Sequence, residues 1–282
     1  MSSARLDSQA PIGVFDSGLG GLTVASALAL ELPGESLVYL GDTARVPYGT
    51  RSPSTVVRYA RTNMKFLREQ GVKLAVVACN TVSAQGLGGL ADGSELPVIG
   101  VIRPGARASL EVTAGGSIAV LGAPATIASN AYVEAIHEHA PGARVHQVAC
   151  PLFVPLVEEG WLEHAVTRAV AVEYLTNLED HGVDTIILGC THYPLLSEVL
   201  RSVVDERLGE HVKIVDSATA GARATRELLD KLQLHCQSES VSHRFFVTDA
   251  PERVGEVGDR FWKETTDQSL VLEHVDLVVD LS

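Results

Sequence analysis

The sequence predicts an α/β protein of two pseudo-symmetric lobes, each a mostly parallel sheet flanked by helices, with the active site in the cleft between them. Three observations predict it. Short, continuous apolar runs alternate with amphipathic stretches, the pattern of parallel strands covered on both faces. The strand starts repeat: 12, 37, 74 and 97 in the first half against 117, 144, 185 and 212 in the second, with steps of 25, 37 and 23 residues against 27, 41 and 27. The third strands of the two halves also end alike. LAVVACNT at 74–81 and TIILGCTH at 185–192 are both apolar runs that close on a cysteine.

Taken in order, residues 1–10 read as a polar leader and 12–15 as a buried strand, followed by Asp16-Ser17-Gly18-Leu19-Gly20-Gly21. A helix over 23–32 stops at Pro33-Gly34, because proline cannot continue a helix and glycine ends one. Strand 37–40 leads to Gly41-Asp42 and a loop over 43–51; helix 54–70 stops at Gly71; strands 74–78 and 97–101 complete the first half. The second half reads as strand 117–121, helix 130–139, strand 144–149, helix 162–181, strand 184–188, helix 199–208 and strand 212–215. A helix at 219–232, a polar linker at 233–242, a strand at 245–248, a helix at 251–262 and an apolar tail at 270–281 that packs back on a lobe complete the chain. Residues 1–102 with 214–282 are assigned to the first lobe and 103–213 to the second. In open α/β sheets ligands sit at the carboxyl ends of strands, where each chemically interesting residue here falls.

At 282 residues and 46% hydrophobic, the chain can bury a core without staples. A net charge of −13 and a pI near 5.2 argue against a nucleic-acid surface and against an acidic membrane, both of which need basic footprints. No apolar run reaches the length of a membrane span, and the start carries no signal-peptide core, so the expected location is the cytoplasm. The four cysteines, Cys79, Cys150, Cys190 and Cys236, form no C-x-x-C pair, which leaves no ribbon-type zinc or thioredoxin-like signature.

Cysteine at the end of a buried strand is by itself best read as core packing. The equivalence of Cys79 and Cys190 changes that reading, since each stands at the same place in a repeat, before a Thr and a helix or turn. A thiol at a helix N-terminus is expected to have a lowered pKa. Cys150 and Cys236 have no such match. The stretch from Asp16 to Gly21 suggests phosphate binding but fails the G-x-G-x-x-G pattern, because Thr23 stands where the third glycine belongs, and it lacks the P-loop G-K-[ST]. Ser17 and the backbone N–H groups suit a carboxylate or ammonium group instead, with Asp16 near a catalytic centre. Asp and Ser there are also natural helix caps. His192, two residues past Cys190, fits a base or thiol partner better than a metal ligand. His137 and His139 flank Glu138 without sharing a helix face and read as surface residues. Glu158 and Glu159 follow an apolar segment; either a solvated helix end or a place in the cleft beside Cys190 accounts for them. Two opposed thiols suit proton removal from an amino-acid α-carbon on one face and its return on the other. The five lysines, Lys65, Lys73, Lys213, Lys231 and Lys263, lie outside the strand-end motifs, so no pyridoxal site is marked and the chemistry is expected to need neither cofactor nor metal.

At this point the residues resemble a known family. The stretch from Ile12 to Val24 (IGVFDSGLGGLTV), the stretch from Tyr39 to Gly49 (YLGDTARVPYG), Ala78-Cys79-Asn80-Thr81, Gly100-Val101-Ile102-Arg103-Pro104-Gly105, the stretch from Gly189 to Leu196 (GCTHYPLL) and Val215-Asp216-Ser217-Ala218 are similar to the signatures of the glutamate racemases, in family order. The resemblance implies cofactor-independent interconversion of L- and D-glutamate, supplying D-glutamate for peptidoglycan and cell-wall synthesis. It implies that Cys190 takes the proton from L-glutamate and Cys79 from D-glutamate, with Asp16 assisting Cys79, and His192 and Glu158 assisting Cys190. Substrate contacts carry over to Asp16, Ser17, Pro47, Tyr48, Gly49, Asn80, Thr81, Thr191 and His192. One motif departs: the family tends to Thr-x-Gly-Thr after the first strand of the second lobe, where this chain has Ala123-Pro124-Ala125-Thr126, followed by Ser129 and Tyr132. Only Thr126 carries over there.

The resemblance also implies a homodimer and glutamate as the small-molecule substrate. Aspartate or hydantoin racemase of the same superfamily is the enzymatic alternative. A non-catalytic regulator, such as an inhibitor of DNA gyrase, is the alternative of a different class, although a binder has no need of two matched strand-end thiols.

Overall fold

The computed structural model describes residues 7–85, 87, 90, 96–236, 240–262 and 270–278, with the backbone alone for 253–256. The leader up to residue 6, parts of the linker and the end of the tail lie outside the described residues.

Strands β1 (Ile12–Asp16), β2 (Leu37–Gly41), β3 (Leu74–Val77), β4 (Val98–Gly100), β9 (Arg244–Val247) and β10 (Leu272–His274) form one sheet in the order β10-β9-β2-β1-β3-β4. β5 (Ser117–Gly122), β6 (Arg144–Ala149), β7 (Thr185–Gly189) and β8 (Lys213–Asp216) form the other in the order β6-β5-β7-β8. Every pairing is parallel. The shared inner order, second-first-third-fourth, is the numerical repeat of the sequence turned into topology. β1, β2, β3, β5 and β7 are buried along their whole length, which explains their unbroken apolar runs.

Helices cover the sheets: α1 (Leu22–Glu31), α2 (Pro53–Glu69), α3 (Asn80–Gln85), α4 (Ile102–Val112), α5 (Pro124–Ala128), α6 (Ala131–His137), α7 (Phe153–Glu158), α8 (Ala165–Thr176), α9 (Ser197–Arg207), α10 (Ser217–Leu232) and α11 (Pro251–Trp262). Among the described residues the chain crosses between the sheets twice, once through α4 from β4 to β5 and once at the β8–α10 junction. α10 packs against both α1 and α4, so both crossings run along one seam.

Three expectations differ from the structure. The sequence reading assigns no element between strands 97–101 and 117–121, where the structure has helix α4 with Pro104 and Gly105 near its start. Proline is tolerated in a first helical turn, and Gly105 faces the seam, where an added Cβ would stand 3.2 Å from the Tyr132 hydroxyl. The stretch from Ala123 to Ser129, read as a loop, contains α5, started by Pro124. The helix predicted over 162–181 is shorter: His164 caps α8 by accepting from the Val166 N–H at 3.1 Å, and the last turn, Glu179–His181, is a separate 3-10 turn ending at left-handed Gly182. The tail does pack back, as edge strand β10 beside β9.

Away from the cleft, Lys73 and Glu35 form a buried ion pair at 2.6 Å. Lys73 also donates to the Ser8 carbonyl at 2.7 Å, and Glu35 accepts from the Cys236 N–H at 2.7 Å, so the pair ties the chain's start and the linker to the sheet. Replacing Lys73 by Met strands a buried carboxylate. We expect it to lower the urea-unfolding free energy by about 3–5 kcal/mol, and the double variant Lys73→Met/Glu35→Leu to recover most of that.

Candidate active site

β1 ends at Asp16, which is 1% exposed and accepts the Gly18 N–H at 3.0 Å, turning the chain sharply after the strand. Beside it, β3 delivers Cys79 and β7 delivers Cys190 from the equivalent strand end of the other sheet. The two thiols line one cavity of about 190 Å³ between the lobes. Cys79 donates to the Ser17 hydroxyl at 3.4 Å. Cys190 lies 4.0 Å from Nδ1 of His192, whose Nε2 is 3.3 Å from Glu158 Oε1. α11 supports that pair: Phe261 packs its ring edge-on to His192, and Arg260 donates to the Glu158 carbonyl at 3.2 Å.

The glycine-rich turn serves close approach. A Cβ on Gly20 would stand 2.3 Å from Thr191 Oγ1 and 2.4 Å from His192 Nδ1. A Cβ on Gly21 would stand 2.3 Å from Asp16 Cβ. Only bare backbone lets this turn of one lobe meet Thr191 and His192 of the other. Thr23 completes the seam by donating to the Thr191 carbonyl at 3.0 Å.

The two thiols face opposite electrostatic surroundings. Burial and the charge of Asp16 push the Cys79 thiol up to about 12, against the weaker help of Ser17 and the Val82 N–H. This corrects the lowered value expected from a helix N-terminus: α3 has only six residues, and desolvation outweighs its dipole. Burial also raises Asp16, while the charge of His192 works in the other direction. Burial alone would depress His192, but hydrogen bonds to Cys190 and Glu158, together with the charges of Cys190 and Asp16, raise it to about 10. A cationic imidazole therefore stands beside Cys190, where a sulfur base would carry its negative charge.

The loop from Thr43 to Arg51 supplies another wall. Buried Asp42 accepts from Arg45 Nε at 2.7 Å, from Thr248 at 3.0 Å and from the Tyr48 hydroxyl, and Asn63 donates to that hydroxyl at 3.3 Å. This anchors Pro47, Tyr48 and Gly49 against the cavity, with the Gly49 backbone close to Ala123. Thr81 and Thr126 meet across the cleft at 3.2 Å.

Of the residues singled out in the sequence, Ser17, Pro47, Tyr48, Gly49, Cys79, Asn80, Thr81, Thr126, Cys190, Thr191 and His192 line the cavity. Asp16 does not. It lies beneath the turn, buried, and acts on the cleft through Cys79 and His192. Glu158 does not line it either; it reaches the cleft through His192 and opens onto a neighbouring cavity beside Gly18 and Thr43. Cys150 is buried without facing the cavity, and the carbonyl of Cys150 accepts from the Tyr193 hydroxyl at 2.8 Å. His137 is half-buried, its ring against the Ala143 carbonyl, so it is less of a surface group than expected. The sequence reading passed over Pro151, Val154 and Pro155, which form the apolar wall below Cys190. The duplication held the signal: they follow β6 as Pro47, Tyr48 and Gly49 follow β2. Among the described residues no group of His, Cys, Asp or Glu is placed to hold a metal ion, and no helix is long and apolar enough to cross a membrane.

Two parallel-sheet lobes meeting at a cavity lined by one strand-end thiol from each are joined by a sequence match over residues 22–225 to the Asp/Glu/Hydantoin racemase family. The chain belongs to the Asp/Glu/Hydantoin racemase family. A glutamate racemase of Geobacter metallireducens is 49% identical over 251 residues, 89% of this chain and 92% of that protein. A glutamate racemase isoform of Bacillus anthracis superposes with a TM-score of 0.90 at 39% identity, covering 96% of this chain and 99% of that one. The Francisella tularensis glutamate racemase in complex with D-glutamate superposes with a TM-score of 0.87 at 37% identity, over 95% of this chain and 98% of that one. Within the family, these identities set the chain among the glutamate racemases, isomerases of an amino acid.

Two expected outcomes follow from the geometry. Gly20→Ala forces Thr191 and His192 aside and is expected to lower kcat by about 100-fold, since displacements near 1 Å carry that cost. Gly142→Ala, where an added Cβ meets nothing within 4 Å, is expected to leave kcat unchanged. For His192, a folded pKa raised from 6.5 to about 10 contributes stability fully present below pH 6.5 and lost as pH rises through about 10. The Tm difference between wild type and His192→Asn should therefore shrink across that interval; a constant difference excludes the raised value.

Proposed function

We propose that the chain racemises glutamate without a cofactor, by a two-thiol, two-base mechanism. The observation that carries this reading is the placement of Cys79 and Cys190 on one small cavity with opposite surroundings, a carboxylate beside the first and an imidazolium beside the second. That is the pairing one turnover needs: one thiol and one thiolate at any moment. In the L-to-D direction, the Cys190 thiolate takes the α-proton of L-glutamate. Its electron pair stays with the α-carbon and delocalises into the carboxylate. Cys79 then gives its proton to the opposite face and is left as the thiolate. His192, oriented by Glu158, supports charge on Cys190, and Asp16 keeps Cys79 protonated until the carbanion forms. D-glutamate runs the same steps in reverse.

Among the described residues that line the cavity none is a lysine or an arginine. The substrate's carboxylates would be met by the hydroxyls and amide of Ser17, Asn80, Thr81, Thr126 and Thr191 and by backbone N–H groups around Pro47, Tyr48 and Gly49. Such preorganised donors strengthen as charge develops on the α-carboxylate. The Francisella relative, described in complex with D-glutamate, supports the same ligand here. The reading carries with it a cytoplasmic homodimer that supplies D-glutamate for peptidoglycan.

The test is α-proton exchange followed by NMR in heavy water, with no cofactor added. L-glutamate should racemise, and at early times deuterium should enter the D-product and not the recovered L-substrate, because each face has its own acid. Preference for L-aspartate would move the assignment to a sibling activity, and no exchange with either would leave a binding protein. Cys79→Ser and Cys190→Ser should each abolish racemisation; full activity in either sinks the two-base assignment.

A further inference from the structure

Tyr132, on α6, lies outside the machinery described above and does not line the cavity, yet it touches the chain next to both thiols. It is 1% exposed. Its hydroxyl donates to Asn80 Oδ1 at 2.7 Å, and Asn80 directly follows Cys79. Its ring packs on Gly189, which directly precedes Cys190; a Cβ there would stand 3.0 Å from Tyr132 Cε2. The other end of the Asn80 amide donates to Ser217 Oγ at 3.1 Å. Ser217 is 1% exposed and opens α10, where the chain leaves the second sheet. Gly105, on the other crossing, leaves room for the cluster: its Cβ would stand 3.2 Å from the Tyr132 hydroxyl and 3.6 Å from Ser217 Cβ. Tyr132 thus stands where both inter-lobe crossings meet. Burial pushes its phenol up, so it stays protonated and cannot serve as a base near neutral pH.

We propose that Tyr132 is a positioning residue that sets the separation of the two catalytic sulfurs across the substrate's α-carbon, its ring bearing on the Cys190 strand end and its hydroxyl, with Ser217, holding the Asn80 amide beside Cys79. The proposal rests on the two-thiol reading above and deepens it. A rigid aromatic spacer suits the task, because an aromatic ring has few torsions and the cluster is satisfied at both ends of the amide. Each thiol must lie within reach of one carbon from opposite sides, so drift of one strand end affects one proton transfer more than the other.

Tyr132→Phe separates the two contacts, since it keeps the ring on Gly189 and removes the bond to Asn80. Ser217→Ala loosens the same amide from the other side. Because enantiomers have equal free energies in water, kcat/KM must fall equally in both directions, and the direction-specific readout is the α-deuterium isotope effect. The enantiomer deprotonated by Cys79 (D-glutamate in the reading above) should show a larger isotope effect on kcat/KM than in wild type, and the other a smaller one, because the Cys79 transfer becomes rate-limiting. We expect kcat to fall about 10- to 100-fold in Tyr132→Phe, with a smaller change in KM and an unchanged far-UV circular dichroism spectrum. Unchanged kinetics in both variants, or a loss of kcat/KM with both isotope effects as in wild type, overturns the proposal while leaving the two-thiol mechanism standing. A wild type that shows no racemisation overturns the mechanism and the proposal together.

Discussion

Burial of two thiols and their ionisable neighbours in a cleft between two parallel sheets is the constraint on which the rest of this structure depends. Away from bulk solvent a sulfur responds strongly to burial and to the charges beside it. Asp16 is buried where its charge acts on Cys79, and His192 is buried beside Cys190. Burial, and after it the charge of Asp16, push the Cys79 thiol up, while the other thiol faces the His192 imidazole. Four strands of the first sheet repeat the order of the second, so the two supply matched backbone positions for the sulfurs, while the side chains around them break the match. The proposed two-thiol mechanism draws on both properties, equivalence of reach and difference of surroundings.

Keeping that cleft narrow depends on what is left out of it. Gly20 carries no side chain where Thr191 and His192 arrive, Gly49 brings bare backbone close to Ala123, and Gly189 lets Tyr132 pack against the strand that ends in Cys190. Buried polar groups then fasten the walls. Asp42 holds the loop that carries Tyr48, and Asn80 is held at both ends of its amide. Asp42 and Asn80 are each hydrogen-bonded, as burial requires, and the Asn80 bonds tie the Cys79 strand end to α6 and α10.

Much of the fold was legible before any coordinates. Buried parallel strands are continuous apolar runs, and β1, β3, β5 and β7 are uniform enough to be found from that alone. Helix α4 was not legible, because Pro104 and Gly105 carry the local signals of a loop and only packing against Tyr132 and the seam shows why a helix tolerates them. The same holds for α5, where Pro124 starts a helix too short for any periodicity to declare itself. Pro151, Val154 and Pro155 were legible in principle through the repeat, but apolar residues give no chemical signal of their own.

By itself the sequence determined the duplicated strand spacing, the two strand-end thiols and the set of small polar residues that accompany them, because periodicity and motif are local properties of the chain. The tertiary structure alone decided that Asp16 lies under the cleft and not in it, that Cys79 is pushed up and not down, and that Tyr132 joins the two thiol-bearing strand ends. The physical reason is the same in each case. Burial, and the distance between groups far apart in the chain, set the electrostatic energy of a side chain, and neither is written in the residues next to it.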